Sequence, residues 1–303
     1  MRTAFLFPGQ GSQAPGMARD LFDGFPEARA RLEGANEVLG FDLTGLMFGD
    51  DAEALRQTDV TQPALYAHSL AAMAVLEARG EQPDAAAGHS LGEYSALAAS
   101  GALSFEDGLR LVRLRGQLML EAGTERPGTM AALLGAEDAL AEALCQAVSD
   151  AGTVVPANLN APGQVVLSGD RAAVEAAVAC ASEFGAKKAV LLNVSGAFHS
   201  PLMAPAGERL AAALEGIEIT APRCPVYLNV TARPTTDPAE IRQHLVEQLT
   251  MPVRWAETLQ AMHADGVIRF VEVGTGGVLS GLVKRTLGRE VETATRGTAA
   301  EFA

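Results

Sequence analysis

Residues 86–97, AAGHSLGEYSAL, carry the pattern G-x-S-x-G around Ser90. This pattern is typical of a nucleophile elbow, a sharp strand-to-helix turn that exposes a serine hydroxyl. Gly88 and Gly92 are the small residues that such a turn requires on either side of the serine. The alternative is a chance match in which Ser90 only caps a helix. Because the motif follows a predicted strand and precedes a predicted helix, Leu91 to Ser100, we interpret Ser90 as a nucleophile.

A nucleophilic serine needs a base, and His199 is the best placed of the five histidines. It stands in SGAFHSPLM, where Ser200 can cap a helix whose first residue is Pro201. The positive end of that helix favours a neutral, basic imidazole. The alternative is a surface histidine near a cap. His68 is expected to be a structural residue in the middle of a helix, and the side chain of His89 is expected to point away from Ser90. His244 and His263 are expected on the surface.

One arginine falls on the apolar side of a predicted helix, residues 104–123. A helical projection places Arg115 opposite a polar face formed by Arg110, Arg113, Gln117 and Glu121. A guanidinium there must pair with a protein carboxylate, extend to solvent, or face a cavity that receives an anionic ligand. The third arrangement would indicate a substrate with a carboxylate, held by paired hydrogen bonds. An ordinary esterase has no need of it.

Two glycine-rich segments follow predicted strands. In FPGQGSQ, residues 7–13, Gln10 is expected near the carboxyl ends of parallel strands, where an amide can stabilise an oxyanion. A phosphate-binding turn is the alternative, but the segment lacks the Lys-Ser/Thr pair of a P-loop. The segment VGTGGVLSG, residues 273–281, is predicted to be a tight strand-to-helix connection rather than a nucleotide-binding loop.

Strand-like and helical runs alternate along the chain, which predicts an α/β fold with a parallel sheet between helices. Ser preceding His in the chain also matches the order in α/β-hydrolase-like proteins. Residues 127–196 read β-α-β-β-α-β, the ferredoxin-like order, with the last strand starting at KKAVLLNVSG. We therefore predict a catalytic unit of residues 1–126 and 197–303 with residues 127–196 inserted as a ferredoxin-like subdomain. The last residues, GTAAEFA, are expected to fray.

Composition limits the class of protein. The 303 residues are 48% hydrophobic and 20% charged, as in a globular chain of one large or two unequal domains. A net charge of −14 argues against nucleic acid or an anionic membrane as the main partner. Three widely spaced cysteines fit neither a zinc site nor a disulfide framework. With no signal-like or membrane-spanning segment in the sequence, we expect a cytoplasmic protein.

Several motifs together resemble malonyl-CoA:acyl carrier protein transacylases and the acyltransferase domains of fatty-acid and polyketide synthases. The resemblance runs from residue 3 to about residue 290 and keeps the family's order. The motifs are FPGQGSQ, TQPALYAHSL, GHSLGEYSAL, RLRGQLM, NLNAPGQVVLSG, GAFHSPLM, MPVRW and EVGTGGVLSGL. One departure is Thr275, where many relatives have proline. The ferredoxin-like insertion is also what this family implies.

The resemblance implies a role for each site residue. Ser90 would take the acyl group, His199 would be its base, and Arg115 would hold the free carboxylate of the malonyl group. The oxyanion hole would be formed by Gln10 and the backbone N–H of Leu91.

Further implied roles concern orientation and substrate choice. A backbone carbonyl at Gln248, rather than an aspartate, would orient the histidine, and Asn158 would be the family's active-site asparagine. Leu91 and Phe198 match the malonyl-type pattern, whereas methylmalonyl-type domains tend to carry Gln and Ser there. Phe198 would leave no room for an α-methyl group.

The implied reaction is ping-pong transfer from malonyl-CoA to the phosphopantetheine thiol of holo acyl carrier protein, without a metal or bound cofactor, by a monomer. Carrier proteins are typically acidic, so basic clusters could dock them: Lys187 with Lys188, and Lys284 with Arg285 and Arg289. Solvated surface charge is the alternative for both clusters. Three other functions stay open: a free-standing malonyl transferase of a polyketide synthase, a serine esterase or thioesterase, and a non-catalytic carrier-binding subunit.

Overall fold

The computed structural model describes residues 2–303. Its strands are β1 Arg2–Phe7, β2 Ala85–Gly88, β3 Gly128–Leu134, β4 Val154–Ala161, β5 Gln164–Asp170, β6 Lys188–Leu191, β7 Val226–Tyr227, β8 Pro234–Thr235, β9 Val267–Val273 and β10 Glu292–Arg296. Its helices are α1 Arg19–Gly24, α2 Pro26–Leu39, α3 Leu43–Phe48, α4 Ala52–Arg56, α5 Thr58–Ala78, α6 Gly92–Ala99, α7 Phe105–Glu125, α8 Asp138–Ala147, α9 Arg171–Cys180, α10 Ala204–Glu215, α11 Pro238–Glu247, α12 Trp255–Ala264 and α13 Val278–Leu287. Short 3-10 turns cover Ser149–Ala151, Pro201–Met203 and Ala299–Phe302.

The larger sheet has the strand order β10-β9-β1-β2-β7-β8, and every pair is parallel except β7 with β8. Alternate residues of β1 enter different cores: Phe5 and Phe7 on one face, Ala4 and Leu6 on the other. Helices therefore cover both faces, as the sequence predicted for a parallel sheet. The strand β2 consists of three alanines and a glycine, which are poor strand formers. Its position between β1 and β7, with all four residues buried, explains why it is nevertheless a strand.

The carboxyl ends of β1 and β2 coincide, because Phe7 pairs with Gly88. The loop after β1 carries Gln10, and the turn after β2 carries Ser90. Two segments separated by about 80 residues in sequence thus open at the same edge of the sheet, where ligand sites of open α/β sheets form.

The smaller sheet is antiparallel, with the order β4-β5-β3-β6, and α8 and α9 contribute to its core. The predicted ferredoxin-like order is confirmed. The last strand is shorter than the sequence suggested: β6 ends at Leu191, and after a further hydrogen bond from Leu192 to Met130 the chain is irregular to residue 196. This sheet lies within residues 128–191, while the predicted limits of the inserted unit, 127 and 196, stay a prediction.

The smaller sheet is joined to the segment that precedes α12. The backbone N–H of Leu159 in β4 donates to Val253 at 2.9 Å, and the Val253 N–H donates to Ala157 at 2.9 Å. Asn158 lies between these bonds and forms a parallel bridge with Val253. The bridge fixes β4 beside the loop that carries Gln248.

The expectation that the last residues fray is wrong. Phe302 is buried, Thr298 and Glu301 form a capping box, and the backbone carbonyl of Phe302 accepts a hydrogen bond from Arg79. The side chain of His68, inside α5 as expected, bonds to the carbonyl of Gly297 at 2.7 Å. These residues have no anchor nearby in sequence, because the partners of Gly297 and Phe302 lie more than 200 residues away along the chain. No helix in residues 2–303 combines the length and the apolar character needed to cross a bilayer.

Candidate active site

Ser90 occupies a strained turn between β2 and α6. Its φ is 50°, a left-handed conformation that non-glycine residues rarely adopt. The flanking glycines are required by close backbone approach: a Cβ on Gly88 would lie 1.9 Å from the carbonyl carbon of Gly92. One on Gly92 would lie 2.0 Å from the carbonyl oxygen of Phe7. The turn therefore has the geometry of a nucleophile elbow, and its helix begins at Gly92 rather than at Leu91.

The Ser90 hydroxyl lies 2.8 Å from Nε2 of His199. The other ring nitrogen, Nδ1, lies 2.8 Å from the backbone carbonyl of Gln248 and 3.3 Å from that of Met251. A carbonyl can only accept, so Nδ1 carries the proton and Nε2 is free to accept from the serine. A backbone carbonyl thus takes the orienting position that an aspartate occupies in a serine triad.

His199 is held in a dry environment. It is buried, its φ is 56°, and the Ser200 hydroxyl accepts a hydrogen bond from the Leu202 N–H at the start of the short turn beginning at Pro201. Burial, together with the nearby charge of Arg115, lowers the pKa of His199 to about 3. The neutral imidazole expected from the sequence is therefore present, and desolvation together with a nearby cation accounts for it.

Arg115 is only 1% exposed and reaches the nucleophile. One guanidinium nitrogen donates to Gln62 Oε1 at 2.9 Å, and the other donates to Gln248 Oε1 at 2.9 Å and to the Ser90 hydroxyl at 3.1 Å. Within residues 2–303 it forms no ion pair with a carboxylate, and its buried Nε has no acceptor. Of the three arrangements open from the sequence, the protein carboxylate and the extension to solvent are excluded.

Gln248 connects the three groups described so far. Its backbone carbonyl holds His199, its side-chain oxygen holds Arg115, and its side-chain nitrogen donates to the Ser90 carbonyl at 3.1 Å. The residue is fully buried, so these bonds do not compete with solvent. The relative positions of nucleophile, base and cation consequently depend on the backbone and side chain of one residue.

A cavity of about 120 Å³ opens onto these groups. Its walls combine the polar site residues with apolar side chains: Gln10, His89, Ser90, Leu91, Arg115, Met119, Met130, Asn158, Leu192, Val194, Phe198 and His199. The backbone N–H groups of Gln10 and Leu91 have no acceptor among residues 2–303. The sequence-predicted residues thus meet at one cavity, except Gln248, which lies directly behind it.

Three of the remaining histidines take no part in this arrangement. His89 lies at the cavity but turns from the serine, since its Nε2 lies 2.8 Å from Asn160 Oδ1 and its ring packs edge-on against Trp255. His244 and His263, expected on the surface, are half-buried on α11 and α12. Neither lines the cavity.

Comparison with known proteins decides the family. A family model described as an acyl transferase domain matches residues 4–299. The chain belongs to the acyl transferase domain family. This acyl transferase is 47% identical over 285 residues to the malonyl CoA-acyl carrier protein transacylase of Bacillus subtilis (strain 168), covering 94% of this chain and 90% of the relative.

Solved structures agree with this assignment. The acyl carrier protein S-malonyltransferase of Vibrio cholerae O1 biovar eltor has a TM-score of 0.95 and 43% identity, covering 100% of this chain and 99% of that one. A malonyl-transacylase in complex with a type II polyketide synthase acyl-carrier protein has a TM-score of 0.96 and 42% identity, covering 99% and 97%. The α/β fold with a ferredoxin-like subdomain, predicted from sequence, is confirmed for this acyl transferase.

The sequence did not reveal three buried polar residues around the site of the acyl transferase. Gln62 binds Arg115, Asn229 binds the Ser90 backbone, and Glu93 binds Asn229. Burial raises the pKa of the Glu93 carboxyl to about 7. A signal existed for two of them, because Gln62 and Glu93 are polar residues within otherwise apolar helical segments. No local pattern marks Asn229, which lies in an irregular segment after β7.

Proposed function

We propose that this acyl transferase moves the malonyl group of malonyl-CoA to the phosphopantetheine thiol of holo acyl carrier protein, through an ester on Ser90. One observation carries the proposal. Arg115 is a buried cation without a carboxylate partner, and it lies within hydrogen-bond reach of the nucleophile. An acyl group with its own carboxylate would supply the missing anion. Because Arg115 lies so close to Ser90, only a short chain would separate that carboxylate from the carbon that Ser90 attacks.

In the first half-reaction Ser90 attacks the thioester. Its hydroxyl proton passes to Nε2 of His199 as oxygen bonds to the carbonyl carbon, and the N–H groups of Gln10 and Leu91 are available to the oxyanion. The tetrahedral intermediate collapses, the carbon–sulfur bond breaks, and the imidazolium returns the proton to the sulfur. Free coenzyme A leaves, and malonyl-Ser90 remains.

The second half-reaction reverses the roles. The thiol of the carrier's phosphopantetheine arm gives its proton to His199 and attacks the ester carbon. The carbon–oxygen bond breaks, and the serine regains its proton from the imidazolium. The Gln248 carbonyl holds the Nδ1 proton throughout, so the same tautomer serves both steps. In this scheme no metal or bound cofactor takes part.

Charge at Arg115 links substrate choice to basicity. The guanidinium disfavours protonation of His199, which both half-reactions require. A malonyl carboxylate bound to Arg115 would offset that charge, whereas an acetyl group would leave it in place. An anionic acyl group would thus be favoured in two ways: Arg115 would bind its carboxylate, and that carboxylate would make protonation of His199 easier.

Phe198 lies at the acyl cavity and is itself buried. A ring of this size beside the acyl group would leave no room for an α-methyl branch, which supports malonyl over methylmalonyl as substrate. Asn158 also lines the cavity, from β4. Its hydrogen-bonding side chain would contact the incoming thioester, a role proposed here from position alone.

Two exposed basic clusters are candidate docks for an acidic carrier protein. Lys188 is the first residue of the edge strand β6, and Lys187 directly precedes it. Lys284 and Arg285 lie in the last turn of α13, and Arg289 follows the helix. Replacing Lys284 and Arg289 by glutamate should raise the KM for carrier protein and leave the KM for malonyl-CoA unchanged. An unchanged KM for both would identify this cluster as solvated surface charge.

The test of the proposal is the intact mass of the protein after brief exposure to malonyl-CoA and an acid quench, with acetyl-CoA and methylmalonyl-CoA in parallel. We expect one malonyl adduct that is absent in Ser90→Ala and discharged by holo carrier protein. Steady release of free acid from neutral thioesters, without an adduct, would instead identify a serine esterase or thioesterase. An adduct that only a polyketide carrier protein discharges would indicate the polyketide alternative. Cytoplasmic location, a monomeric state and the exclusion of nucleic-acid and membrane partners stay predictions from sequence.

A further inference from the structure

Asn229 brackets the elbow with its side-chain amide. Its Oδ1 accepts from the Ser90 N–H at 2.7 Å, and its Nδ2 donates to the Gly88 carbonyl at 2.7 Å. The amide therefore spans the last residue of β2 and the nucleophile and satisfies a backbone group of each. Asn229 is 0% exposed, so no water shares these bonds.

Glu93 in turn fixes Asn229. One carboxylate oxygen accepts from the backbone N–H of Asn229 at 2.6 Å, and the Glu93 N–H donates to the Ser90 carbonyl at 3.1 Å. Three residues thus form a closed ring of hydrogen bonds: Ser90 to Asn229, Asn229 to Glu93, and Glu93 back to Ser90. Glu93 is also 0% exposed. A glutamate is almost never fully buried unless it has a partner, and here the partner is the backbone N–H of Asn229.

The ring lies where the backbone is strained. A non-glycine residue at φ of 50° is maintained only where surrounding contacts over-determine it. Neither Asn229 nor Glu93 is among the residues that line the cavity, so neither is placed to touch substrate. The bonds to Asn229 and Ser90 place Glu93 to act on the backbone of the serine, and the Gln248 side chain and Arg115 lie close enough to influence its carboxylate.

We infer that Glu93 and Asn229 form a positioning pair that holds Ser90 in its left-handed conformation and aims its hydroxyl at His199. The pair sets the rate at which the serine attacks and leaves substrate binding unchanged. This inference rests on the proposed function only for the identity of the acyl group, because any electrophile that Ser90 attacks reports on the same geometry.

The test compares Glu93→Ala with Glu93→Gln in the full chain. Two rates are measured: acylation by malonyl-CoA in a rapid acid quench, and modification by a fluorophosphonate, which requires only a reactive serine. Glutamine keeps an oxygen that accepts from Asn229, so we expect both rates within about threefold of the original protein. Alanine removes the acceptor, and we expect both rates to fall about 10- to 100-fold, while the malonyl-CoA concentration that gives half the maximal acylation rate stays within about twofold. Ser95→Ala, which removes a buried hydroxyl of α6 that has no partner, is the matched control.

Equal rates for Glu93→Ala and Glu93→Gln would overturn the inference, as would a raised half-saturating concentration of malonyl-CoA at an unchanged maximal acylation rate. If Glu93→Ala lacks the native circular dichroism spectrum, Asn229→Asp replaces it as the test. That variant keeps an acceptor for Ser90 but places a second carboxylate oxygen against the Gly88 carbonyl, so slow modification is expected and an original rate contradicts the pair. A protein that reacts with the fluorophosphonate but takes no malonyl group would contradict the proposed function and still allow the comparison of variants.

Discussion

Two strand-to-helix junctions, β2 to α6 and β9 to α13, lie at the carboxyl edge of the same sheet and use their helix ends differently. Both pass through glycine-rich turns, and both have a fully buried glutamate. At β9–α13, Glu272 accepts from the N–H groups of Leu279 and Ser280 at 3.1 and 2.8 Å, so the chain's own carboxylate occupies the helix N-terminus. At β2–α6 the N–H of Leu91, the residue directly before the helix, has no acceptor among residues 2–303, and Leu91 lines the cavity.

The difference separates a structural junction from a reactive one. A helix N-terminus attracts negative charge wherever it lies, and the question is whether the protein or a ligand provides it. Segment 273–281 is richer in glycine and more like a nucleotide loop in sequence, yet its helix end is already occupied by Glu272. The buried cation beside the open junction also lacks a partner of opposite charge within the protein. Arg115 of α7 has amides and a hydroxyl as partners, and no carboxylate within the described residues.

The largest effect is expected from a methyl group added at the open junction. In Gly92→Ala the new Cβ would lie 2.0 Å from the Phe7 carbonyl oxygen, so the backbone around Ser90 must move. A displacement of about 1 Å at reacting atoms lowers rates about 100-fold, and we expect at least that loss in the acylation rate. The control is Gly281→Ala in α13, where a Cβ meets nothing within 4 Å. Similar rates for both variants would show that the two junctions do not differ in their steric demands.

Removal of the unpaired cation should have the next largest effect. Arg115→Ala should lower acylation by malonyl-CoA about 100-fold, since truncating one partner of a buried charged pair costs about 2–5 kcal/mol, and should raise the ratio of acetyl to malonyl adduct. Intact mass after parallel exposure to both thioesters measures that ratio. Arg110→Ala, on the exposed face of the same helix, should change neither quantity. Equal losses with both thioesters would mean that Arg115 only supports the fold.

Local sequence was sufficient for residues whose neighbours along the chain determine their position. The glycines around Ser90 predict the elbow, the helical projection places Arg115 on an apolar face, and the Ser-Pro pair after His199 predicts a capped turn. Strand alternation brought Gln10 and Ser90 to the same edge of the sheet. Each of these inferences uses contacts within a few residues or a general rule of sheet topology.

Residues fixed by distant partners could not be found in this way. Asn229 meets Ser90 across 139 residues, and nothing in its surrounding sequence differs from an ordinary loop. The last residues were expected to fray because their anchor at His68 lies 229 positions away from Gly297. The burial of His199 and its closeness to Arg115 were also not foreseen, because both depend on segments that are distant in sequence.

A substitution at the occupied junction, β9 to α13, should lower the stability of the protein and leave the acylation rate almost unchanged. Glu272→Gln replaces one of two accepting oxygens by an amide nitrogen that faces a backbone N–H, so we expect a loss of about 1–3 kcal/mol in the free energy of unfolding. Acylation should stay within about twofold of the original protein, because this helix end lines no part of the cavity. Urea unfolding and the acid-quench assay measure the two quantities. A large loss of rate at unchanged stability would make this junction functional and remove the contrast.

The smallest expected effect is that of acidity on attack by Ser90. Burial and Arg115 lower the pKa of His199 to about 3, so the imidazole stays neutral and able to accept a proton between pH 8 and pH 5. We expect kcat/KM for malonyl-CoA to change less than about twofold over that range. An imidazole with an ordinary pKa of about 6.5 would instead lose about 30-fold in its neutral form by pH 5. The pH profile of kcat/KM is also recorded in Glu93→Gln. The pKa of Glu93, at about 7, lies between pH 5 and pH 8, and this variant removes that titration.

The same profile in Arg115→Ala sharpens the contrast between the junctions. With a His199 pKa of about 3 the acid limb of the original protein lies below pH 5, so the profile is extended below that value. Removing the guanidinium removes one of the causes that lower this pKa, so the limb should move to higher pH, while Glu272→Gln should leave it in place. A limb near pH 6.5 in the original protein, retained in Glu93→Gln, would contradict the expectation, since it would require a hydrated imidazole. The open junction would then face water. In that case the pKa of His199 would not depend on the charge at Arg115, and this dependence could not determine which acyl group the serine accepts.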